Sequence, residues 1–372
     1  MDPVKGLPKG EYQQVTFFSG GTWIAIPKVL GEGDQIVFHM WRTSTVIQVA
    51  DASTPQESRS LVRSGKYSPE LSPDGQTVYY VNDLPGEEGI YALSCQGGTP
   101  RRLTETLPVK VYPHAPLDLS PDGRTLAYSA RFGEGLGLFT LPVSGGEPQF
   151  MVKLHTSELE VVPQWSPDGS SLAYADAKSL YVIDADGGKP RKLATLKGYL
   201  EEYSVRWSPD GKYVASLGSS EPNSDDAVFV VPASGGELRQ LTPVTEWLQR
   251  LEWHPDGKRL TYHVSQHNSE TRQAYLDGRP PSLLLDAPGV WDYEGAWAPD
   301  GRRFFFLADG GLHVYDEASG ETTFVADCGS TDEESVPSWS RDGKTMAWTA
   351  TRRTAPQLWI MENFLPKASP EK

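Results

Sequence analysis

Along the chain, apolar and polar residues form short runs that alternate with period two, each bounded by Gly, Pro, Asp or Asn. Seven runs share one pattern: TVYYV, TLAYSA, SLAYAD, YVASL, RLTYHV, RFFFLA and TMAWTA. Their period and their β-branched and aromatic content predict strands. After each comes a second apolar run: GIYALS, LGLFTLP, SLYVID, AVFVVP, RQAYLD, GLHVYD and QLWIME. A glycine hairpin (SGGE at 144–147 and 234–237, DGGK at 186–189) then leads into a further run such as PRRLT, PRKLA or LRQLT. Proline cannot donate to a ladder, so its place opening that last run predicts an outer, edge strand.

A tetrapeptide precedes each of the seven runs. Ser72-Pro73-Asp74-Gly75 recurs at Ser120–Gly123, Ser166–Gly169 and Ser208–Gly211, with variants at His254–Gly257, Ala298–Gly301 and Ser340–Gly343, about 45 residues apart. Pro fixes φ at one corner, Asp bonds the neighbouring backbone and Gly supplies a permissive conformation, so the motif reads as a turn. Its aspartates are therefore turn residues and not catalytic carboxylates. Five copies follow a Trp (Trp165, Trp207, Trp253, Trp297 and Trp339), which the spacing places as wedges between neighbouring units. Four antiparallel strands in such a repeat make one blade of a β-propeller.

Counting units sets the expected ring. Val29–Phe38 mimics the turn and second strand without the tetrapeptide, and TVIQVAD (45–51) and SRSLV (59–63) follow as third and fourth strands. The last unit stops after Gln357–Met361, and Gly10–Thr16 matches Gly236–Thr242. The expectation is an all-β fold, a single closed β-propeller of four-stranded antiparallel blades over residues 1–372. Its repeats span about 10–363, with a tail at 364–372. Eight blades are preferred over seven, with the N-terminal strand completing the last blade and removing the open sheet edges.

Val162-Pro-Gln-Trp-Ser-Pro-Asp-Gly-Ser-Ser-Leu-Ala-Tyr174, followed by Leu180–Leu193, resembles the WD-like repeat of the TolB-type propeller family. The resemblance covers essentially the whole chain. It implies a bacterial protein-interaction scaffold, often periplasmic, and fold alone does not fix function. Two departures stand out: the small α/β domain that precedes the propeller in the family's name-giving member is absent, and the expected blade number exceeds that protein's six. Similar propellers also cap prolyl-oligopeptidase-type peptidases, but no Gly-x-Ser-x-Gly elbow occurs here.

Composition narrows the partners. Gly and Pro number 36 and 30, as turns at this density require, and there are 11 Trp. Lys and Arg total 34 against 49 Asp and Glu, a net charge of −15, which repels a nucleic-acid backbone. The basic pairs at 101–102, 302–303 and 352–353 fall in different repeats, so no nucleic-acid stripe is expected. No run of 18 apolar residues predicts a membrane span, and residues 1–14 lack the apolar core of a secretory signal. The compartment stays open, and a monomer is expected. Cys95 and Cys328, far apart, read as unpaired thiols.

In a propeller the loops from fourth to first and from second to third strands gather at one mouth of the channel, where function usually sits. Five residues before the Trp position stand Lys66, His114, Glu160, Glu202, Leu248, Asp292 and Glu334, and the same loops add Glu201, Glu246, Glu294, Asp332 and Glu333. Trp247, Trp291, Tyr199, Tyr203, Tyr293 and Tyr112 share these loops. The candidate ligand-binding residues are His114, Glu160, Glu202, Trp247, Trp291, Asp292 and Glu334. Acids beside aromatic rings suit a basic peptide segment or a cation. His263 and His267 lie four apart without a third ligand nearby, so no metal and no cofactor is expected. No nucleophile order and no P-loop occurs. The favoured expectation is a non-enzymatic module binding a protein or peptide partner at this acidic, aromatic-rimmed mouth. The alternative is an enzyme, of lyase or hydrolase type, acting on oligosaccharides or small molecules there. A scaffold segment of a larger protein is a third reading.

Overall fold

The computed structural model describes residues 22–362 apart from 31–34, 65–68, 83–85, 105–116, 156–160, 177, 202, 223, 246, 266–269, 287–293, 309, 329–336 and 354–356. The chain divides into two compact units, Thr45–Arg352 and a smaller one made of Met1–Ser44 with Arg353–Lys372. Among the described residues there is no α-helix, only a 3-10 turn at Pro55–Glu57, and no helix is long and apolar enough to cross a membrane.

The larger unit is a β-propeller of seven antiparallel blades. Six follow in chain order at 70–102, 118–154, 164–195, 199–240, 248–286 and 294–327, here numbered one to six. The seventh is built from both ends of the unit. Ser338–Trp339 and Thr345–Arg353 supply its inner strands, and the second half of Gln35–Asp51 with Arg59–Ser64 supplies its outer ones.

The second strand of each blade is almost wholly buried, as in Thr77–Asn82, Ser171–Asp176 and Arg303–Ala308, because both of its faces are covered by neighbouring blades. The core is correspondingly divided into seven layers, one per interface. Blades one and two share Tyr79, Leu126 and Tyr128, two and three share Leu138 and Trp165, and three and four share Val182 and Trp207. Leu217 and Trp253 join four to five, and Leu285 and Trp297 join five to six. The ring closes where Phe305 and Leu312 of blade six meet Val46 and Trp348 of blade seven, and where Ile47 and Ala347 meet Val78 and Tyr80 of blade one.

The tetrapeptides form the expected turns. In the first, Ser72 Oγ donates to Asp74 Oδ1 at 2.6 Å, Gln76 N donates to the same oxygen at 3.0 Å, and Thr77 N donates to Ser72 Oγ at 2.9 Å. Gly75 sits at φ 67°, where a side chain would be strained. The same bonds recur at Ser120, Ser166, Ser208 and Ser340. The Trp wedges also bond across interfaces: Trp207 Nε1 donates to Gln164 O and Trp253 Nε1 to Arg206 O, both at 3.1 Å. Cys95 and Cys328 are free and buried, and burial pushes both thiols up to about 11.

The preferred count of eight is corrected to seven. An eighth blade needs a hairpin between residues 38 and 45, but Gln35–Asp51 runs as one 17-residue strand. No Gly, Pro or Asn interrupts it, so nothing there reverses the chain. An N-terminal segment does complete the last blade, but with two strands from 45–64; residues 10–16 lie outside the described residues. In the smaller unit, Gln357–Glu362 pairs antiparallel with Gln35–Met40, and Thr22–Leu30 pairs with the same strand. The runs expected to open the first unit and end the last are therefore both paired with Gln35–Met40 within the smaller unit.

Candidate functional site

Of the seven candidate site residues, Trp247 is described, whereas His114, Glu160, Glu202, Trp291, Asp292 and Glu334 lie outside the described residues. Trp247 stands 67% exposed just before the first strand of blade five. It opens onto a cavity of about 350 Å³ whose wall includes Tyr199, Glu201, Tyr203, Asp225 and Asp226. Tyr199, Glu201 and Tyr203 come from the loop anticipated in the sequence. Asp225 and Asp226 come from the second-to-third-strand loop of blade four and were not singled out.

Backbone pairing assembles this wall. Tyr199–Leu200 pairs with Gly218 and Ser219, and Gly218 permits the approach, since a Cβ there would collide with Tyr199 O. Glu201 N donates to Leu217 O at 3.0 Å, and Asp226 and Thr245 exchange backbone bonds at 3.2 and 2.8 Å. Asp226 then holds two sides of the cavity together. Its Oδ1 accepts from Tyr199 Oη, and its Oδ2 accepts from Leu248 N at 3.3 Å. Trp247 takes a left-handed φ of 57°, and its carbonyl accepts Ser265 N at 3.0 Å. Burial, followed by the bond to Asp226, raises the Tyr199 hydroxyl. Burial and the nearby Glu201, which accepts its hydrogen bond, raise Tyr203. Both phenols therefore stay protonated and act as donors to carboxylates.

A second group of side chains occupies the residue just before the Trp position of each blade: Glu70, Asp118, Gln164, Arg206, Glu252, Ala296 and Ser338. Glu70 responds to the charges of Asp118, Arg206 and Glu252, so side chains of four blades converge on one axis. Burial raises Glu70, Asp118 and Glu252, taking Asp118 up to about 7 against the pull of Trp165 N and Arg206. Arg206 Nε lies 3.6 Å from Glu252 Oε2. Asp118 and Gln164 each accept the backbone N–H of the next blade's Trp, at Trp165 and Trp207, and Ser338 Oγ accepts Leu71 N at 3.0 Å. This inner ring was missed in the sequence reading. Its signal was available as the one column of the repeat that mixes acids, amide, arginine, alanine and serine.

His263 is fully buried, and burial followed by the charge of Arg250 lowers it to about 4, so it is neutral at pH 7. It lines a narrow cavity with Arg206, Arg250 and Glu252, while His267 lies outside the described residues. Among the described residues no group of three His, Cys, Asp or Glu side chains could hold a metal ion.

Comparison with solved structures finds the same architecture in proteins of differing activity. A protein described as TolB from Agrobacterium tumefaciens is 20% identical, with TM-score 0.53 over 83% of this chain and 98% of that one. An oligogalacturonate lyase from Vibrio parahaemolyticus is 14% identical, with TM-score 0.57 over 90% of this chain and 98% of the lyase. A puromycin-hydrolyzing peptidase from Mycobacterium tuberculosis is 14% identical, with TM-score 0.58 over 82% of this chain but 53% of the peptidase. At these identities the likeness is one of fold. No curated protein matches the chain in sequence. The family model of the TolB beta propeller domain matches residues 118–315, more than half of the chain, and the protein belongs to that family.

Proposed function

We propose that this propeller is a non-enzymatic recognition module that binds a basic segment of a protein or peptide partner at an acidic, aromatic-rimmed channel mouth. The observation that carries this reading is the cavity where Trp247, Tyr199 and Tyr203 stand among Glu201, Asp225 and Asp226. Loops held on a rigid ring are where such propellers present binding residues. A net charge of −15 adds long-range attraction for a cationic partner. His114, Glu160, Glu202, Trp291, Asp292 and Glu334, in the corresponding loops, would extend the surface around the mouth. The alternative of an oligosaccharide-acting enzyme draws on fold likeness, and an acid-lined mouth disfavours a polyanionic sugar such as an oligogalacturonate.

The test is binding of basic, neutral and acidic peptide pools to the immobilised full chain over a salt series. Basic pools should bind, weakening at least about tenfold between 50 and 300 mM salt. The triple variant Glu160→Lys, Glu202→Lys, Glu334→Lys should abolish that binding while keeping its unfolding midpoint. Equal binding of all pools, or undiminished binding by the folded triple variant, would overturn the reading.

A further inference from the structure

We infer that the cavity between blades four and five is a pocket for a single arginine side chain, an assignment that rests on the proposed recognition of basic segments. Its volume of about 350 Å³ lies within the range of about 300–1,000 Å³ typical of small-ligand pockets. Three carboxylates line it, Glu201, Asp225 and Asp226, and among the described residues no Lys or Arg does. Arg250, whose charge reaches Tyr203, instead lines a second cavity with Arg206 and His263.

The hydrogen-bond inventory of the wall selects the ligand. Tyr199 spends its hydroxyl proton on Asp226, Leu248 N occupies that residue's other oxygen, and Tyr203 donates to Glu201. Beyond the Gln249 amide and the Trp247 indole N–H, what the wall offers is acceptor capacity and negative charge from three carboxylates. Three carboxylates with no lining cation call for a group that brings positive charge and many donors, and guanidinium has five N–H donors. An ammonium shares the charge but offers fewer donors and no flat face.

Trp247 supplies the surface for that flat face. Trp247 is 67% exposed, and Tyr199, which lines the same cavity, is 39% exposed. The backbone under the indole is fixed on both sides, by Ser265 N on the Trp247 carbonyl and by Asp226 on Leu248 N. An exposed indole lining the same cavity as three carboxylates can stack on a guanidinium while the acids accept its edge.

The experiment measures binding of acetylated, amidated Gly-Gly-X-Gly-Gly peptides to the full chain by calorimetry, with X as arginine, lysine or citrulline, and choline as a further probe. Citrulline keeps the planar shape and loses the charge. The arginine peptide should bind at least about fivefold tighter than the lysine peptide and about tenfold tighter than the citrulline one. Trp247→Ala and Asp225→Asn should each weaken it about fivefold or more without shifting the unfolding midpoint, and Trp247→Phe should restore part of the loss. Equal binding of arginine and citrulline peptides, tighter binding of choline, or an unchanged affinity in Trp247→Ala would overturn the assignment. If longer basic peptides still bind and still respond to the Glu160, Glu202 and Glu334 reversals, the pocket alone fails. If they too fail to bind, the recognition reading falls with it.

Discussion

Asp118 and Asp122 lie four residues apart in the same blade and titrate in opposite directions. Asp122 is exposed at a turn and accepts Ser120 Oγ at 2.6 Å and Arg124 N at 3.1 Å. Those bonds, the Ser120 hydroxyl first, hold its carboxyl below 3.8. Asp118 sits on the inner strand, where burial lifts it to about 7. The same contrast separates Asp74 from Glu70. One set of carboxylates is solvated and locally satisfied; the other is crowded at the axis with other acids and with Arg206 facing them. A carboxylate near the repeat motif therefore stabilises or destabilises the ring according to whether its partners are local or come from other blades.

The largest expected effect comes from removing the cation of the inner ring. Arg206→Met should leave Glu252, Asp118 and Glu70 without their compensating charge. Breaking a fully buried pair costs about 3–5 kcal/mol. The Glu252 side chain is still 37% exposed, so roughly 2 kcal/mol is expected at pH 8 after allowing for solvent screening. Near pH 5 the carboxyls gain protons and the deficit should shrink. It should not vanish, because Arg206 also donates to Tyr203 O at 3.2 Å and Val205 O at 2.8 Å. Urea unfolding at both values reads the difference, and equal deficits would mean that the ring's charges are not coupled.

A smaller effect of opposite sign is expected for Asp118→Asn. A carboxyl whose folded pKa lies above its unfolded value binds its proton more tightly in the folded state. Wild-type stability therefore falls as pH rises from about 4 to about 7. Asparagine cannot titrate, and its side-chain oxygen can still accept Trp165 N. The variant should gain on the order of 1 kcal/mol over wild type at pH 8 and show no gain near pH 4. A variant weaker than wild type at pH 8 would show that Asp118 works there as a charged acceptor.

Features governed by neighbours in sequence were legible from it. Ser166, Asp168 and Gly169 make their turn within a few residues, and Ser171–Asp176 reads as a fully packed strand from its own side chains. The blade number was not, because it is set where Val46 and Ile47 pack beside Met346, Ala347 and Trp348, far apart in the chain. The uninterrupted stretch from Gln35 to Asp51 was the available hint. The inner ring stayed hidden because Glu70 has significance only when Asp118, Arg206 and Glu252 are brought to it. The cavity was half legible: Trp247, Tyr199, Tyr203 and Glu201 announce themselves in one class of loop. Asp225 and Asp226 required knowing that the second-to-third-strand loop of blade four folds against the segments that lead into that blade and on to blade five.

The smallest effect sharpens the contrast from the turn side. Asp168 Oδ1 accepts Ser166 Oγ at 2.6 Å, Ser170 N at 3.0 Å and Ser170 Oγ at 2.8 Å. These bonds, with Ser166 first, take its carboxyl down to about 2. A depressed carboxyl contributes stability that is full above its unfolded pKa near 4 and is lost as pH falls through about 2. Asp168→Ala should therefore cost stability at pH 7 and progressively less toward pH 3. The side chain is exposed and screened, and Ser171 N retains its bond to Ser166 Oγ at 3.0 Å. The cost should be about 0.5–1 kcal/mol, read as a small drop in the urea midpoint. Asp168→Ala and Asp118→Asn thus remove similar carboxyls and should move neutral-pH stability in opposite directions. A stabilising Asp168→Ala would mean that the turn acids, too, are governed by crowding around the ring and not by their own hydrogen bonds.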